Sequence, residues 1–479
     1  MFRFLSNRES KKKAAEANST VDLKYLGLEP RRVLNADFDF DGFSLEIDNF
    51  SNSDALDTTD NLVVTSSGTD YFFQLSEGVF SGTDSSGGSG ASISGIGTGL
   101  LTISDVDNDL DDLIFNDSSL GDQFDIEFGD FDFTGDINIG SGSTSPLFGE
   151  LTQQTGTSIF HSGSLNLSGI ETISLNQTGN DFNVVSVLDA NNLAIEDVND
   201  LEVTSLDVSG VATINAGGSV TLSDVGLSDE LNVQAGVGDL VIAGNGDLEL
   251  SSIEALDGSV QVTTTGDVFV GSVVSTGSSL GDGDIDITAG GSINDLDDDL
   301  ADDLTADGLV TLTAADEIGG IVPTGSTIDV DQRLEVAGGT EIDAFANSGN
   351  VVLRANGDVT LQDVEALSGS GLVDVVAAGD VLVGRVSAAT TIDIISSSGG
   401  INDLGDDLAD DLIAGGLVTL TAANEIGGIV PAGSTIDVDQ RLEVAGGTEI
   451  DAFANLGNVV LRANGDVTCL LYTSPSPRD

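Results

Sequence analysis

A block of sequence that occurs twice constrains the fold of this chain more than any other feature. The twenty-two residues STIDVDQRLEVAGGTEIDAFAN occupy Ser326–Asn347 and recur unchanged at Ser434–Asn455, 108 positions later. They belong to a longer alignment, in which Ile293–Thr360 matches Ile401–Thr468 at sixty-two of sixty-eight positions without a gap. None of the six changes replaces a leucine, valine or isoleucine of the first copy. A compact core does not easily accept an added block of this size, whereas a stack of repeating turns does.

Short alternating segments fill the chain around these copies. Segments such as GSVTL, DLVIAG, GDVFVG and GNVVLRA place apolar residues at positions i and i+2, the spacing at which side chains share one face of a strand. Most of them open with glycine beside aspartate, asparagine or serine, which form tight turns at low cost. The pattern predicts strands joined by short turns.

One segment has helical spacing instead. Ile293–Leu304 reads INDLDDDLADDL and returns with one change at Ile401–Leu412. Because Leu296, Leu300 and Leu304 are spaced at i, i+4 and i+8, the segment predicts a short amphipathic helix whose other face is almost entirely carboxylate.

A fainter similarity extends the repeat upstream, since Gly246–Val273 resembles Gly357–Val386. The repeating unit is then about 110 residues long, enough for several stacked turns. We place the two units at 246–356 and 357–468.

Smaller units of about twenty residues lie within each long one. Glycine-led strands begin at Leu248 and Val268, an interval of 20 positions, and at Val359 and Val381, an interval of 22 positions. A turn this short cannot bury an apolar face alone, but stacked turns can, with backbone hydrogen bonds between neighbours. We therefore predict an all-β fold, a parallel β-helix (β-solenoid) over 183–468, with about thirteen turns in a rod about 60 Å long.

Phenylalanine marks a boundary before this region, because seventeen of the twenty lie at or before Phe182. We expect 37–182 to form a less regular β region rich in phenylalanine, glycine and serine. Eight of the fourteen basic residues lie in 1–36, which we expect to be a disordered basic tail.

The charge distribution excludes some classes of partner. The formal net charge is −67, and between Val33 and Thr468 five arginines face 76 acidic residues. Such a surface repels nucleic acid and anionic membrane, whereas divalent cations and cationic partners are plausible; the charge also suits solubility in salty surroundings. No apolar stretch is long enough to span a bilayer, and no ordinary secretory signal is visible. Cys469 is the only cysteine, so disulfides do not indicate a compartment.

The last eleven residues break the repeat. GDVTL continues as QDVEAL in the first copy, but the second copy changes at Cys469–Asp479 into CLLYTSPSPRD. These letters are similar to the translation of a transposase-based sequencing adapter. We therefore expect the natural sequence to be interrupted after about Thr468 and exclude 469–479 from the fold, with a genuine short tail as the alternative.

A short motif near the start resembles a known signal. The segment LEPRRVLNA is similar to the motif that names the LEPR-XLL family of large, repetitive bacterial proteins, which are believed to be exported or surface-associated. Five residues fit the motif: Leu28, Glu29, Pro30, Arg31 and Leu34. Val33 replaces the usual leucine. The resemblance implies an export or processing signal; a chance proline turn is the alternative.

A second resemblance concerns the repeats. The segment GDVFVGSVVSTGSSLGDGDIDITAGGSIND, residues 266–295, resembles the repeats of filamentous-haemagglutinin-type adhesins and related β-strand-repeat surface proteins. This resemblance implies a solenoid fold, a structural or adhesive role, and a secreted or cell-surface location in bacteria.

Two kinds of acidic segment are candidates for binding Ca²⁺. DFDFDGFSLEID places Asp37, Asp39 and Asp41 at positions 1, 3 and 5 of an EF-hand-like loop, with Gly42 at the bend and Asp48 at position 12. The same alternation also fits a half-buried strand.

The clusters at Asp295–Asp303 and Asp403–Asp411 are the second kind. They suit a loose gathering of cations or, alternatively, a solvated acidic loop that projects from the rod. No cofactor is required by the sequence, and Ca²⁺ is the candidate.

Catalysis is not favoured by the residue types present. His161 is the only histidine, and serine and aspartate are too frequent for a Ser–His–Asp arrangement to be singled out. A β-helical carbohydrate-active enzyme, either a polysaccharide lyase or a glycosidase, is the alternative because paired carboxylates are abundant. Its basic and sugar-stacking groups would have to come from five arginines and Tyr71.

The arginines recur at equivalent positions, as Arg333 and Arg441 and as Arg354 and Arg462. Recurrence suits structural salt bridges better than one active site. We therefore predict a non-enzymatic, structural or adhesive protein; an enzyme should show one groove with an unrepeated cluster of carboxylates and arginine.

Overall fold

The computed structural model describes most of the chain. It covers residues 35–51, 61–76, 78–87, 90–105, 109–116, 125–140, 148–226, 230–277, 283–296, 300–319, 333–405, 408–428 and 441–469. Within these ranges the regular structure is entirely strand. They contain no helix with the length and apolar character needed to cross a membrane.

The strands follow one another closely along the chain. In chain order they are β1 (Asn35–Phe40), β2 (Ser44–Ser51), β3 (Asn61–Ser67), β4 (Asp70–Leu75), β5 (Val79–Asp84), β6 (Ser92–Ser94), β7 (Leu100–Ser104), β8 (Asp112–Phe115), β9 (Asp125–Phe128), β10 (Phe131–Phe133), β11 (Asp136–Ile139), β12 (Phe148–Gln153), β13 (Ile159–Ser168), β14 (Ile170–Leu175), β15 (Asp181–Ala190), β16 (Asn192–Asp197), β17 (Leu201–Val208), β18 (Val211–Ala216), β19 (Val220–Val225), β20 (Glu230–Ala235), β21 (Leu240–Gly244), β22 (Leu248–Ala255), β23 (Val260–Thr264), β24 (Val268–Val270), β25 (Val273–Ser275), β26 (Ile285–Ala289), β27 (Ile293–Asp295), β28 (Leu304–Ala306), β29 (Leu309–Ala314), β30 (Leu334–Val336), β31 (Thr340–Ala346), β32 (Val351–Ala355), β33 (Val359–Ala366), β34 (Val373–Ala377), β35 (Val381–Ala388), β36 (Ile392–Ser396), β37 (Ile401–Asp403), β38 (Leu412–Ala414), β39 (Leu417–Ala422), β40 (Leu442–Val444), β41 (Glu449–Ala454), β42 (Leu461–Ala463) and β43 (Thr468–Cys469).

Two sheets form the walls of a solenoid of about 14 turns. From β13 onward each turn, which we call a coil, contributes a run of one strand or two short strands to one sheet and then to the other. Each run pairs in parallel with the run one coil later, as in Leu240↔Val260 and Leu248↔Val268. The pairing of Val359 with Val381 has the spacing expected from the sequence. The predicted all-β parallel β-helix is confirmed.

Side chains alternate between the interior and the surface along each strand. In β29, Val310, Leu312 and Ala314 are buried, while the residues between them are partly exposed. The next coil repeats this alternation in register, with Ile342 beside Val310 and Ala344 beside Leu312. The core is therefore a continuous column of aliphatic side chains, which burial stabilises by about 25 cal/mol per Å² of apolar surface.

The phenylalanine-rich segment forms the first coils of the same stack. Four strand pairs are antiparallel here: β1–β2, β3–β4, β4–β7 and β6–β7. The rings of Phe131 and Phe133 pack against Tyr71. β13 pairs in parallel with β15, and β15 with β17, so the stacking continues across residue 183 without a break.

The predicted helix at Ile293–Leu304 does not form. Its two ends are the strands β27 and β28, and Ile293 and Leu304 stack on Val268 and Val273 of the preceding coil. Leu300 is 49% exposed. Stacking between coils outweighs the four-residue spacing because a helix of three turns is marginal without packing.

The two copies of the long repeat lie on opposite sheets. β29 belongs to the sheet that contains β1, whereas its copy β39 belongs to the sheet that contains β3. Four parallel pairings lead from β29 through β31, β33 and β35 to β38, and β39 follows across one corner. The offset between the copies is therefore four and a half coils, and the second copy is turned by half a coil.

A glycine occupies the same position in each copy, directly after the bridging residues Ile318 and Ile426. Gly319 and Gly427 have φ values of +84° and +82°, where other residues are strained. A Cβ atom at either position would collide with the carbonyl oxygen of Val352 or Val460 in the next coil. This position therefore requires glycine for two reasons, its backbone angle and its close approach to the next coil.

Removing residues 293–400 should leave a folded and shorter rod. The deletion joins Ser292 to Ile401, which begins the second copy as Ile293 begins the first. We expect an unchanged circular dichroism signal per residue. The maximum dimension in small-angle X-ray scattering should fall by about 20 Å, because four and a half coils of ~4.8 Å each are lost.

Deletion of 293–353 is the matched control. It joins Ser292 to Arg354 inside β32 and so interrupts a strand. This variant should lose strand signal or aggregate. If both deletions behaved alike, the coil would not be the unit of folding.

Candidate functional site

Three carboxylates converge in the first copy of the repeat. Asp295 ends β27, Asp303 precedes β28, and Glu335 is the central residue of β30. Oxygen atoms of the three side chains lie within 4.8 Å of one another. They meet because the acidic segment leaves the sheet after Asp295 and returns at Leu304, while β30 stacks on β28 one coil later. We call Asp295, Asp303 and Glu335 the first triad.

The second copy builds the same arrangement on the other sheet. Its members are Asp403 at the end of β37, Asp411 before β38, and Glu443 in the centre of β40. We call them the second triad. Since β37, β38 and β40 pair within the sheet that contains β1, the two triads lie on opposite sheets of the rod.

Backbone hydrogen bonds hold two members of each triad together. The N–H of Asp303 donates to the carbonyl oxygen of Glu335 at 3.1 Å, and the N–H of Glu335 donates to Oδ2 of Asp303 at 2.8 Å. In the second triad the corresponding distances between Asp411 and Glu443 are 3.1 Å and 2.7 Å. This reciprocal pair holds the aspartate and the glutamate of each triad beside each other.

Burial makes carboxyl groups in both triads weaker acids than usual. Exposure is 2% for Asp303, 1% for Glu335, 3% for Asp411 and 1% for Glu443. Burial, with the neighbouring carboxylates, raises the pKa of Asp303 to about 9 and that of Asp411 to about 8. Burial also raises the pKa of Glu443, although Arg462 opposes this. Removing a charge from water is costly, so such groups take up protons or require nearby positive charge.

An arginine from the next coil supplies part of that charge. Nη1 of Arg462 lies 3.4 Å from Oε1 of Glu443. Arg354 occupies the equivalent position beside Glu335, in register with it across the strands. The predicted salt bridges are present at one member of each recurring pair, at Arg462 and at Arg333, whose Nη2 lies 2.8 Å from Oδ1 of Asp374.

Sequence reasoning found only part of each triad. It singled out Asp295–Asp303 and Asp403–Asp411 but missed Glu335 and Glu443. Asp303 and Asp411 are buried, so they do not belong to a fully solvated loop. Glu335 stands in the strand LEV, where all three residues are buried. An acid between two apolar residues, downstream of an acidic segment in both copies, was the available signal.

The predicted EF-hand-like residues lie on a β-hairpin. Ala36, Phe38 and Phe40 point inward in β1, and Asp37 and Asp39 point outward, as in the strand alternative. Asp37 and Asp39 lie opposite Asp48 and Glu46 of β2. Burial, followed by Glu46, Asp37 and Asp39, raises the pKa of Asp48.

Asp41 is separated from this outward face. Its Oδ1 accepts hydrogen bonds from the N–H groups of Phe43 at 2.9 Å and Ser44 at 2.8 Å, which closes the hairpin turn. The arrangement therefore brings Asp37, Asp39 and Asp48 together and leaves Asp41 in the turn. Leu28, Glu29, Pro30, Arg31 and Leu34 lie outside the described residues.

A groove of about 700 Å³ runs along the sheet that contains β1. Its lining includes the half-exposed ring of Phe160 and the carboxylates of Asp132, Asp181, Asp200 and Glu202. Two of these carboxylates accept hydrogen bonds: Asp181 from the side-chain amide of Asn199 at 3.2 Å, and Asp200 from the N–H of Ser219 at 2.8 Å. None of the described residues that line the groove is an arginine or a lysine.

Comparisons with known proteins find no match to this chain among family models, curated proteins or solved structures. The geometry of the chain itself therefore carries the argument about function.

Breaking the buried ion pair of Arg333 should destabilise the rod. Arg333→Met leaves the Asp374 carboxylate, 12% exposed, without its cation and beside Asp393, whose pKa burial and Asp374 raise to about 6. We expect a loss of about 3–5 kcal/mol in the free energy of unfolding, measured with urea. Arg385→Met is the control: Arg385 is 42% exposed and pairs with Asp363 and Glu365, so about 1 kcal/mol or less should be lost. Equal losses would contradict this account.

His161 should make the stability depend on pH. Its ring is buried and stacks on Phe133, and its Nε2–H donates to the carbonyl oxygen of Gly135 at 2.9 Å. Burial lowers the pKa of His161, although Gly135 and Asp136 oppose this. The unfolded chain binds a proton near pH 6.5, which the folded chain does not do until lower pH, so His161 reduces stability as the pH falls through about 6.5.

His161→Gln keeps an N–H donor for Gly135 and removes the titration. The difference in melting temperature between the variant and the wild type should therefore shift in favour of the variant between about pH 7.5 and pH 5. The carboxylates titrate equally in both proteins and cancel in this difference. A difference that does not change with pH would contradict the prediction.

Proposed function

We propose that this chain is part of an acidic, secreted or cell-surface β-solenoid protein with a structural or adhesive role. The observation that carries the proposal is the half-coil relation between the two copies of the repeat. A rod whose length grows by copying blocks of coils, and which offers the same block on both sheets, suits a protein that spans distance or presents repeated surface.

The charge of the chain supports the same role. Five arginines face 76 acidic residues between Val33 and Thr468. Like charges keep neighbouring rods apart and keep a long, repetitive protein soluble. The resemblance of Leu28, Glu29, Pro30, Arg31 and Leu34 to the LEPR-XLL motif adds an address, since the family is believed to be exported or surface-associated.

The groove beside Phe160 favours a second candidate, a β-helical carbohydrate-active enzyme. Asp181 and Glu202 line this groove together with the half-exposed ring of Phe160, and glycosidases use a pair of carboxyl groups on either side of the scissile bond. The groove does not contain the arginine that would complete the cluster expected of such an enzyme.

Surface labelling of the organism that carries this sequence tests the first candidate. Antibodies raised against the purified chain should label intact cells, and protease added outside should remove the signal. Antibodies to a ribosomal protein are the control and should label only permeabilised cells. If the chain were labelled only after permeabilisation, the proposed location would be wrong.

The purified chain should also leave polysaccharides intact. A panel of neutral and acidic polysaccharides should show neither new reducing ends nor the ultraviolet absorbance of unsaturated products. If the wild-type chain cleaved a polysaccharide and Asp181→Asn or Glu202→Gln abolished the cleavage, the structural role would be wrong and the enzymatic one supported.

A further inference from the structure

The described side chains around the two triads do not supply enough positive charge to balance the carboxyl groups. The second triad places three carboxyl groups beside one guanidinium, so full ionisation leaves a net charge of about −2. Asp411 and Glu443 are almost completely buried, which deprives them of compensation by water. The buried carboxylate of Asp374, by contrast, pairs with Arg333.

An individual oxygen atom adds an independent observation. Glu443 is 1% exposed, and its Oε1 lies beside Arg462. Its Oε2 is buried and has no hydrogen-bond partner among the described residues. Buried carboxylate oxygens are nearly always bonded, and each exception requires an explanation. Here the oxygen belongs to a side chain that faces the carboxyl groups of Asp403 and Asp411, which donate a hydrogen bond to it only when one of them is protonated.

The spacing of the triad suits a divalent cation. Oxygen ligands at 2.3–2.6 Å from a central Ca²⁺ ion lie up to about 5 Å apart. The three carboxylates already lie within 4.8 Å of one another. Ca²⁺ accepts irregular sets of six to eight oxygen ligands, whereas Mg²⁺ demands a tight octahedron. Asp403 is only partly buried, so water can complete the coordination from its side.

We infer that each triad binds one Ca²⁺ ion, through Asp295, Asp303 and Glu335 in the first copy and through Asp403, Asp411 and Glu443 in the second. The chain then carries two equivalent ions, one on each sheet. Each ion joins the acidic segment of one coil to a strand of the next, because β30 and β40 lie one coil beyond β28 and β38. This inference rests on the geometry of the triads and is independent of the proposed function.

Calcium binding to the full chain tests the inference, with Ca²⁺ alone as the probe. Titration calorimetry in about 0.5 M KCl should screen diffuse binding to surface carboxylates and leave the buried sites. We expect two saturable sites per chain. Asp303→Asn/Glu335→Gln should reduce the number to one, and so should Asp411→Asn/Glu443→Gln. The four substitutions together should abolish saturable binding.

Asp207→Asn/Glu449→Gln is the matched control, because it removes two exposed carboxylates outside the triads. It should keep both sites. Circular dichroism shows whether each triad variant folds. The wild-type titration tests the inference even if a variant does not fold. No saturable Ca²⁺ binding to the wild type, or binding that disappears at high salt, overturns the inference. An equal loss of sites in the control variant also overturns it.

Discussion

Parallel hydrogen bonding between each strand and the strand one coil later is the interaction on which this structure depends. Backbone N–H groups donate to backbone carbonyl oxygens of the next coil: Leu248 to Asp267 at 2.8 Å, Val359 to Asp380 at 2.9 Å, and Val381 to Gly400 at 2.9 Å. These bonds require neighbouring coils to keep the same alternation of inward and outward residues. They place no such demand on segments that leave a sheet. The stretch of sequence from Val310 to its partner Ile342 is longer than that from Leu240 to its partner Val260. β27 and β28 stack on β24 and β25 of the preceding coil, so the acidic segment between them leaves a sheet and re-enters the same sheet.

The half-coil offset of the repeat shows that the two sheets are physically interchangeable. β29 and β39 have the same pattern of buried and partly exposed residues, although they belong to different sheets. β30 and β40 are likewise buried at all three positions in both settings. The local sequence, with glycines such as Gly319 and Gly427, determines the coil, and the identity of the sheet does not. Duplication can then proceed in steps of half a coil, which leaves the packing intact and turns the new copy to the opposite side.

The sequence was sufficient to predict how the coils stack but not to predict the complete triads. Strand starts at Leu248 and Val268 predicted the pairing partners because, in a stack, sequence spacing is the register itself. The helix expected at Ile293–Leu304 was wrong because local spacing cannot report the neighbouring coil on which Ile293 and Leu304 stack. Glu335 was missed for a related reason: it is distant from Asp303 in the sequence, and the sequence between them does not show which coil it joins. Asp41 shows the converse, since its spacing suits a cation loop while its carboxylate closes a turn.

The convergence of buried acids, rather than the number of acids, distinguishes the triads from the remainder of this acidic surface. An outward carboxylate such as Asp39 is hydrated and screened, so neighbours of like charge cost little. A buried carboxylate of a triad has neither benefit. The chain has five arginines in its acidic region, all between Arg333 and Arg462. Arg333 neutralises Asp374 in a buried pair, and Arg462 neutralises a single oxygen of Glu443. The buried acids of the triads exceed the arginines beside them, so the compensating charge must come from solution, as protons or as a metal ion. The two choices differ in what they do to the rod: a proton only removes charge, whereas a divalent ion also ties one coil to the next.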